Sequence, residues 1–213
     1  MFKIWHNKYC HITHEGNKYT FHNLRDFSWC ESEVPEEENW TIDTFNTKKI
    51  IWADLIIVPF SWHDVVAHTM LTFHFSDGKQ ITLSVEAQLQ EDETYDFRKA
   101  LFLGYHNLYI WGTESDHIGL RHIRGEEPVS YALHLDMKLL EKLFISLMQK
   151  TNKVHSHHEK YALLWNNCTS SLWNEARRFF PLPYFHWTLI FAPWLPYFLK
   201  KKWAVKLTEK EIL

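Results

Sequence analysis

Two alternating runs flank an Asp-Gly turn in the stretch HTMLTFHFSDGKQITLSVE, which spans His68–Glu86. This alternation of apolar and polar side chains is typical of two antiparallel strands joined by a tight turn. A two-residue loop would mix apolar and polar positions on each face of the hairpin. A three-residue loop with Gly78 in the left-handed conformation pairs Phe73 with Ile81 and keeps the apolar face uniform. We therefore predict the three-residue loop and its register.

The same register has a consequence for the polar face of the hairpin. It places Glu86 directly across from His68, with their Cβ atoms about 5 Å apart. A carboxylate at that position would fix the imidazole tautomer and stabilise its protonated form. The alternative is that Glu86 only ends an exposed strand edge, and that His68 is a structural histidine with satisfied hydrogen bonds.

Cys168 opens a second informative segment, in which apolar residues recur at helical spacing. These residues are Leu172, Trp173, Ala176, Phe179 and Phe180. A helix N-terminus carries unpaired N–H groups and a partial positive charge, both of which favour a thiolate over a thiol. Cys168 is therefore a candidate nucleophile and His68 its candidate base. The alternative is that Cys168 is a small buried apolar residue, preceded by Asn166 and Asn167 as helix caps.

The composition limits the classes of function. The 213 residues are 46% hydrophobic, which is enough for one sizeable core. The net charge of −3 gives no indication of a nucleic-acid partner. Six glycines are few for this length, and no nucleotide-binding motif is present. Three cysteines do not make a disulfide framework, although one Cys10–Cys30 bridge stays open.

Fifteen histidines raise the question of a metal site. Their spacing matches no zinc template, so we expect no metal and no cofactor. The segment His155-Ser156-His157-His158 is interpreted as a solvated loop.

The remaining periodicities predict further strands and helices around one catalytic domain at residues 1–178, whose first 60 residues hold early strands and an acidic loop at Glu31–Glu38. Predicted strands are Lys18–His22, Trp40–Phe45, Ile50–Val58 (ended by Pro59), Asn107–Trp111, Ile118–Ile123 and Val129–Leu135. Predicted helices are Asp96–Gly104 and a helix capped by Asp136, followed by a polar segment at Asn152–Glu159.

Residues 179–213 form an aromatic tail that contains Pro181, Pro183, Pro193 and Pro196. These prolines argue against a straight membrane-spanning helix. Aromatic residues beside lysines 200–202 fit a surface that lies on anionic lipid headgroups, whereas the alternative is a wrap that closes the core. The N-terminal residues lack the apolar core of a secretory signal, so we expect a cytosolic chain or one without its native beginning.

Several short motifs occur together in one order. They are Asn23-Leu24-Arg25-Asp26-Phe27, Ala67-His68-Thr69-Met70-Leu71-Thr72-Phe73, Ser84-Val85-Glu86-Ala87, Tyr95, Leu120-Arg121 and Asn167-Cys168-Thr169. In this order they resemble the periplasmic domain of the Lnb-type lipoprotein N-acyltransferases, long catalogued as a domain of unknown function. The resemblance extends from about His22 to the end of the Cys168 helix.

The resemblance implies a circularly permuted papain-like α+β fold, in which helices pack on an antiparallel sheet. It also implies a bacterial, membrane-associated and periplasm-facing enzyme that moves an acyl chain from a lipid ester to the N-terminal amine of a lipoprotein. By motif match, Cys168 is the nucleophile and His68 the base. Glu86, Tyr95, Asp116 and Arg121 match other motif positions; these four residues are expected to orient the base or to act as accessory groups.

Each accessory residue has an alternative explanation. Tyr95 is either a site residue or a packed aromatic ring. Arg121 either forms a structural ion pair with Asp116 or binds a carboxylate or phosphate of the substrate. Asn167 either helps to hold an oxyanion or only caps the helix.

Three functions are consistent with the sequence. The first is a thiol-dependent acyltransferase with a lipid or lipoprotein substrate and a membrane contact through residues 179–203. The second is a papain-like amidase or peptidase that uses the same Cys168, His68 and Glu86. The third is a membrane-surface module without catalytic activity.

Overall fold

The structure is a computed structural model that describes residues 2–60, 63–102, 104–203 and 207–210. Its strands are β1 His11–Glu15, β2 Lys18–Arg25, β3 Ser28–Trp29, β4 Pro35–Glu37, β5 Trp40–Asn46, β6 Ile50–Phe60, β7 His63–Phe75, β8 Gln80–Ala87, β9 Tyr105–Gly112, β10 Val129–Leu133, β11 Lys160–Tyr161 and β12 Leu207–Lys210. Its helices are α1 Phe97–Leu101, α2 Glu114–Ile123, α3 Met137–His157, α4 Cys168–Ala176 and α5 Leu195–Trp203.

One large sheet organises these elements. Its strand order is β1-β2-β9-β8-β7-β6-β10-β12, with β5 added to β2 and β11 added to β9. Neighbouring strands are antiparallel except for a single parallel pair, Arg25 with Gly112, between β2 and β9. The expected mixed fold, in which helices pack on a largely antiparallel sheet, is confirmed.

Helices cover both faces of the sheet. On one face, α3 and α4 close the main core, in which the Phe144 ring of α3 lies 4.7 Å from Phe73 and 5.6 Å from Trp111. On the other face, α2 packs Ile118 against Met70 and its neighbours on β6. Alternation along β7 therefore sends successive side chains to two different helical layers.

The predicted hairpin register is confirmed. Phe73 pairs with Ile81, and Gly78 adopts a φ of 83°, a conformation that costs glycine little. The ladder between β7 and β8 ends at Met70 and Ser84. Beyond that pair, β7 continues along β6 and β8 continues along β9.

This end of the ladder corrects one expectation. The predicted pairing of Glu86 with His68 lies beyond the last paired residues, so the two side chains are not ladder neighbours. The strands separate there because each follows its outer neighbour, a constraint that the hairpin sequence alone does not contain.

The predicted strand at Ile118–Ile123 is wrong, because this segment belongs to helix α2. The Thr113 hydroxyl accepts the Asp116 N–H and caps the helix, and Glu114 adds a second acidic side chain to the first turn, where negative charge is favourable. Alternation over so short a segment does not distinguish a strand from one buried helix face.

The predicted polar break after α3 is also wrong, because the helix continues through His157. Two of its polar residues bind β1 and the residue before it: Asn152 exchanges two hydrogen bonds with the backbone of Ile12, and His155 Nδ1 contacts the Cys10 carbonyl at 3.1 Å. Ser156 and His157 are exposed. The histidine-rich segment is therefore mostly the last turn of a helix and not a solvated loop.

Some boundaries differ from the prediction by a few residues. Strand β6 passes through Pro59 to Phe60, with a register irregularity between those two residues. Helix α4 ends at Ala176, so Phe179 and Phe180 lie beyond it and pack against the core from outside.

The tail packs onto the same core as α4, through the buried side chains of Leu189, Ala192 and Leu195. Residues 204–206 and 211–213 lie outside the described residues, as do the side chains of Lys202 and Trp203. Within the described chain, each helix is too short or too polar to cross a membrane.

Candidate active site

The separation of β7 from β8 opens a cavity of about 420 Å³. Its walls include residues 66–68 of β7 and residues 85–87 of β8. Most of the residues that the sequence singled out line this cavity, namely Cys168, His68, Glu86, Asn167, Tyr95 and Arg121. Asp116 is not among the lining residues.

Cys168 is the first residue of α4, as its sequence pattern predicts. Asn167 caps the helix by accepting the Ser170 N–H, and the Ser170 hydroxyl accepts the Asn167 N–H in return. The backbone N–H groups of Thr69 and Thr169 hydrogen-bond the Cys168 sulfur. Thr69 is the residue just past the last β7–β8 ladder pair, so strand separation brings its backbone to the thiol.

The electrostatic state of this thiol differs from the expectation. Burial raises the pKa of Cys168, and the two N–H groups, the Thr169 hydroxyl and the charge of Arg121 only partly offset that effect. The side chain is 7% exposed, so loss of hydration outweighs the helix N-terminus. Cys168 is therefore a neutral thiol at pH 7, and not the preformed thiolate that a helix N-terminus by itself favours.

A hydroxyl connects His68 to Glu86. His68 Nε2 lies 2.7 Å from Ser84 Oγ, and the Ser84 hydroxyl donates to Glu86 Oε1 at 3.0 Å. Because the single Ser84 proton goes to the carboxylate, Ser84 Oγ must accept its other hydrogen bond from His68 Nε2–H. The Nδ1 atom of His68 consequently carries the lone pair that can accept a proton.

Glu86 is held as a carboxylate by three donors. Besides Ser84, it accepts from Arg121 at 3.0 Å and from His6 Nε2 at 3.3 Å. His6 Nδ1 accepts the Leu89 N–H, which leaves the proton on Nε2. Burial acts to raise the pKa of Glu86, but the His6 hydrogen bond and the Arg121 charge hold it well below its usual range.

His68 is a neutral imidazole. Burial and the Arg121 charge lower its pKa to about 3, against a smaller opposing effect of Glu86. No hydrogen bond joins its ring to Cys168 in the described part of the chain. The His68 ring follows Met70 on the α2 side of the sheet, whereas the Thr69 hydroxyl meets Thr169 of α4 at 2.9 Å on the other side. The imidazole and the thiol therefore line the same cavity at the gap between the separated strands.

Of the two alternatives for Arg121, the structural ion pair with Asp116 is not the one that the structure shows. Arg121 bridges Glu86 and Glu126, with N–O distances of 3.0 and 3.5 Å. Asp116 instead pairs with Arg25 at 2.7 Å, and both side chains are fully buried. Arg121 thus faces the cavity, while Asp116 fastens α2 to the end of β2.

Asn167 and Tyr95 both line the cavity, but the contacts of Asn167 limit its role. Its Nδ2 donates to the carbonyl groups of Leu163 and Leu189, so both amide protons are in use. Asn167 therefore has no free amide proton with which to hold an oxyanion. The Tyr95 ring stacks on Tyr105 with a centroid distance of 5.7 Å, and burial raises its pKa to about 12.

Sequence reasoning missed Ser84 and His6. Alternation along the hairpin puts Ser84 on the same face as His68 and Glu86. A hydroxyl in that position can hydrogen-bond both an imidazole and a carboxylate, so the sequence contains the information that predicts this contact. His6 reaches Glu86 from a short 3₁₀ turn at Ile4–His6, and no local pattern predicts that contact.

Two other expectations concern cysteines and metals. Cys10 and Cys30 are free thiols, so no bridge joins them. Among the described residues, His, Cys, Asp and Glu side chains do not gather in groups of three that could hold a metal ion.

The neutral state of Cys168 predicts a specific pH dependence of alkylation. With iodoacetamide, the rate at Cys168 should rise about tenfold per pH unit from pH 7 to 9, since only the thiolate reacts and its pKa is raised. Cys30 is the internal control, because hydrogen bonds with Ser32 and Val34 lower its pKa. Peptide mass spectrometry at each pH measures both rates. A rate at Cys168 that is already level at pH 7 would contradict the neutral thiol.

Comparison with known proteins identifies the family. A model of the Lnb N-terminal periplasmic domain matches residues 36–193, which is well over half of the chain and contains Cys168, His68 and Glu86. No curated protein and no solved structure matches the chain. Membership of this family associates the chain with bacterial lipoprotein processing and fits a periplasm-facing location. The chain belongs to the Lnb N-terminal periplasmic domain family.

Proposed function

We propose that this domain is a cysteine-dependent acyltransferase that moves an acyl chain from a lipid ester to the amine of a lipoprotein. One observation carries the proposal: a thiol at a helix N-terminus and an imidazole of fixed tautomer line the same cavity. Histidine on a strand before cysteine on a helix is also the order of a circularly permuted papain-like fold, which we propose for this domain.

The first half-reaction forms a thioester. His68 Nδ1 takes the Cys168 proton while the sulfur attacks the ester carbonyl carbon. The tetrahedral intermediate collapses by breaking the bond to the ester oxygen, which takes the proton back from His68 and leaves as an alcohol. The nucleophile–base hydrogen bond is commonly loose until substrate binds, so attack includes closure of the gap between the ring and the thiol.

The second half-reaction forms the amide. A neutral amine attacks the thioester carbonyl and gives a proton to His68 Nδ1. The carbon–sulfur bond then breaks, and the sulfur recovers that proton as the Cys168 thiol. Because the relay through Ser84 to Glu86 holds the Nε2 proton, the same nitrogen acts as base and acid in both halves.

Backbone N–H groups are the donors best placed for the developing oxyanion. The amides of Thr69 and Thr169 already hydrogen-bond the sulfur, so they surround the point at which the carbonyl would be attacked. Oxyanion donors of this kind are typically worth about 3 kcal/mol each in the transition state. The helix N-terminus thus acts on the intermediate more than on the resting thiol.

Mass spectrometry of the protein with lipid and an acceptor tests the proposal. Incubation with phosphatidylethanolamine should add one acyl mass to the Cys168 peptide, and a lipopeptide with a free N-terminal amine should then carry that mass as an amide. Cys168→Ala should lower turnover at least about a thousandfold, whereas the matched variant Cys10→Ala, which removes a buried thiol outside the cavity, should retain it.

The products decide between this proposal and a hydrolase. Free fatty acid without a new amide would indicate a hydrolase that uses the same residues. Wild-type turnover by Cys168→Ala would overturn both cysteine mechanisms.

The relay makes a separate kinetic prediction. Ser84→Ala should lower kcat roughly tenfold to a hundredfold with KM unchanged, because the tautomer of His68 is no longer fixed. Thr82→Val is the matched control, since it removes a hydroxyl from the same face of β8 that bonds only Thr72, at 2.8 Å. Equal losses of kcat in the two variants would contradict a relay through Ser84.

We also propose that the tail contacts the membrane beside the cavity. Trp187, Phe191 and Trp194 are between 39% and 49% exposed, and their rings lie 6.0–6.3 Å apart. Between them in the chain, Leu189 and Ile190 line the cavity. An exposed aromatic cluster suits the polar–apolar boundary of a bilayer, and its position would bring lipid esters to the thiol.

Binding to vesicles tests the membrane contact. The double variant Trp187→Ser/Trp194→Ser should bind vesicles of phosphatidylethanolamine and phosphatidylglycerol about tenfold or more weakly, because two aromatic side chains no longer enter the interface. Ile42→Ser removes an exposed apolar residue from β5 and serves as the control in cosedimentation. Equal binding by wild type and the double variant would exclude this surface.

A further inference from the structure

A second cavity, of about 340 Å³, lies beside the main core between the sheet and helices α3, α4 and α5 and is open on one side. Its lining is almost entirely apolar and includes leucines from five elements: Leu71, Leu133, Leu139, Leu143, Leu172 and Leu195. We call this cavity the apolar chamber. Its volume falls in the lower part of the range of small-molecule pockets, about 300–1,000 Å³.

The apolar chamber touches the active-site cavity at one place. Thr169 lines both cavities, and its hydroxyl group lies 2.9 Å from that of Thr69, which lines the apolar chamber. Thr169 follows Cys168 directly, and the N–H groups of both threonines hydrogen-bond the sulfur. The threonine pair is thus the partition between the chamber and the nucleophile.

The distribution of polarity in the chamber indicates what it accepts. Its polar lining residues other than the threonine pair are His134 and Asp136, which are both exposed and stand at the outer side. An unfilled apolar space in a core is costly because interiors pack densely, and such a space excludes water but admits hydrocarbon. A ligand without polar groups along its length is the chemistry that fits.

We propose that the apolar chamber binds the hydrocarbon chain of the acyl group carried by Cys168, a long unbranched chain that passes Thr169, the residue common to the two cavities. This inference rests on the proposed acyl transfer and adds its substrate class, since it predicts selection of the acyl donor by chain length. The carbonyl of the thioester stays in the active-site cavity, and the chain extends past Thr169 into the apolar chamber.

Filling the chamber tests the inference. Ala176 of α4 lines the chamber, and Ala176→Phe should shorten it. With a series of acyl donors from octanoyl to stearoyl, thioester formation on Cys168 should fall about tenfold or more for the long chains and stay near wild type for octanoyl. Asn174→Phe adds the same ring to α4 at a position that does not line the chamber, and it should leave the chain-length profile unchanged.

A second variant and a binding measurement guard against misfolding. Leu139 of α3 is half-buried and lines the chamber, so Leu139→Phe should fill the chamber and shift the chain-length profile in the same direction. The thermal unfolding midpoint identifies the variants that fold. The Cys168→Ala protein should bind the fluorescent long-chain acid cis-parinaric acid. Adding Ala176→Phe to this protein should lower the affinity about tenfold or more, whereas adding Asn174→Phe should leave the affinity unchanged.

The outcomes separate this inference from the proposed function. Acylation of Cys168 with the same chain-length profile in folded Ala176→Phe, Leu139→Phe and wild type would overturn the chamber and leave acyl transfer standing. Absence of acylation with every chain length would overturn the proposed function, and the binding measurement with cis-parinaric acid would then decide whether the chamber takes hydrocarbon at all.

Discussion

The separation of β7 from β8 after Met70 and Ser84 is the constraint on which the site depends. A continuous ladder would have paired Thr69 with β8 and closed the sheet between the α2 and α4 layers. Since each strand follows its outer neighbour instead, the gap admits the N-terminus of α4, and the Thr69 N–H reaches the Cys168 sulfur. A thiol on one side of a sheet and an imidazole on the other can then share one cavity.

The charged groups near the gap determine which nitrogen of His68 carries the proton. They do not make His68 or Cys168 charged. A buried carboxylate is costly unless it is paired and hydrogen-bonded, and Glu86 meets that requirement through His6, Ser84 and Arg121. The Glu86 carboxylate acts on His68 through two hydrogen bonds: it accepts the Ser84 proton, and the Ser84 oxygen then orients the ring of His68. The ring itself stays neutral, because burial and Arg121 disfavour its protonation.

Much of the hairpin and the placement of Cys168 at the start of α4 could be predicted, because period-two alternation fixes register and helical spacing fixes where α4 begins. The partners of the charged residues could not. Arg25 and Asp116 are far apart in sequence and meet only after α2 folds back over β2, and α2 was itself mistaken for a strand. Whether Cys168 is a thiol or a thiolate was equally beyond local sequence, since burial depends on the tail and the strands that enclose it.

In the proposed reaction, the same burial that raises the pKa of Cys168 would favour transfer over hydrolysis. A resting thiolate would react with any electrophile that enters, whereas a neutral thiol becomes nucleophilic only when a carbonyl lies against the N–H groups of Thr69 and Thr169 and His68 takes the proton. In the proposed mechanism, a hydrocarbon chain seated in the apolar chamber would keep water from the carbonyl of the thioester. An amine that arrives beside the aromatic surface would then react with an acyl group that water reaches poorly. The burial that makes the free Cys168 thiol less nucleophilic would thus make its thioester longer-lived.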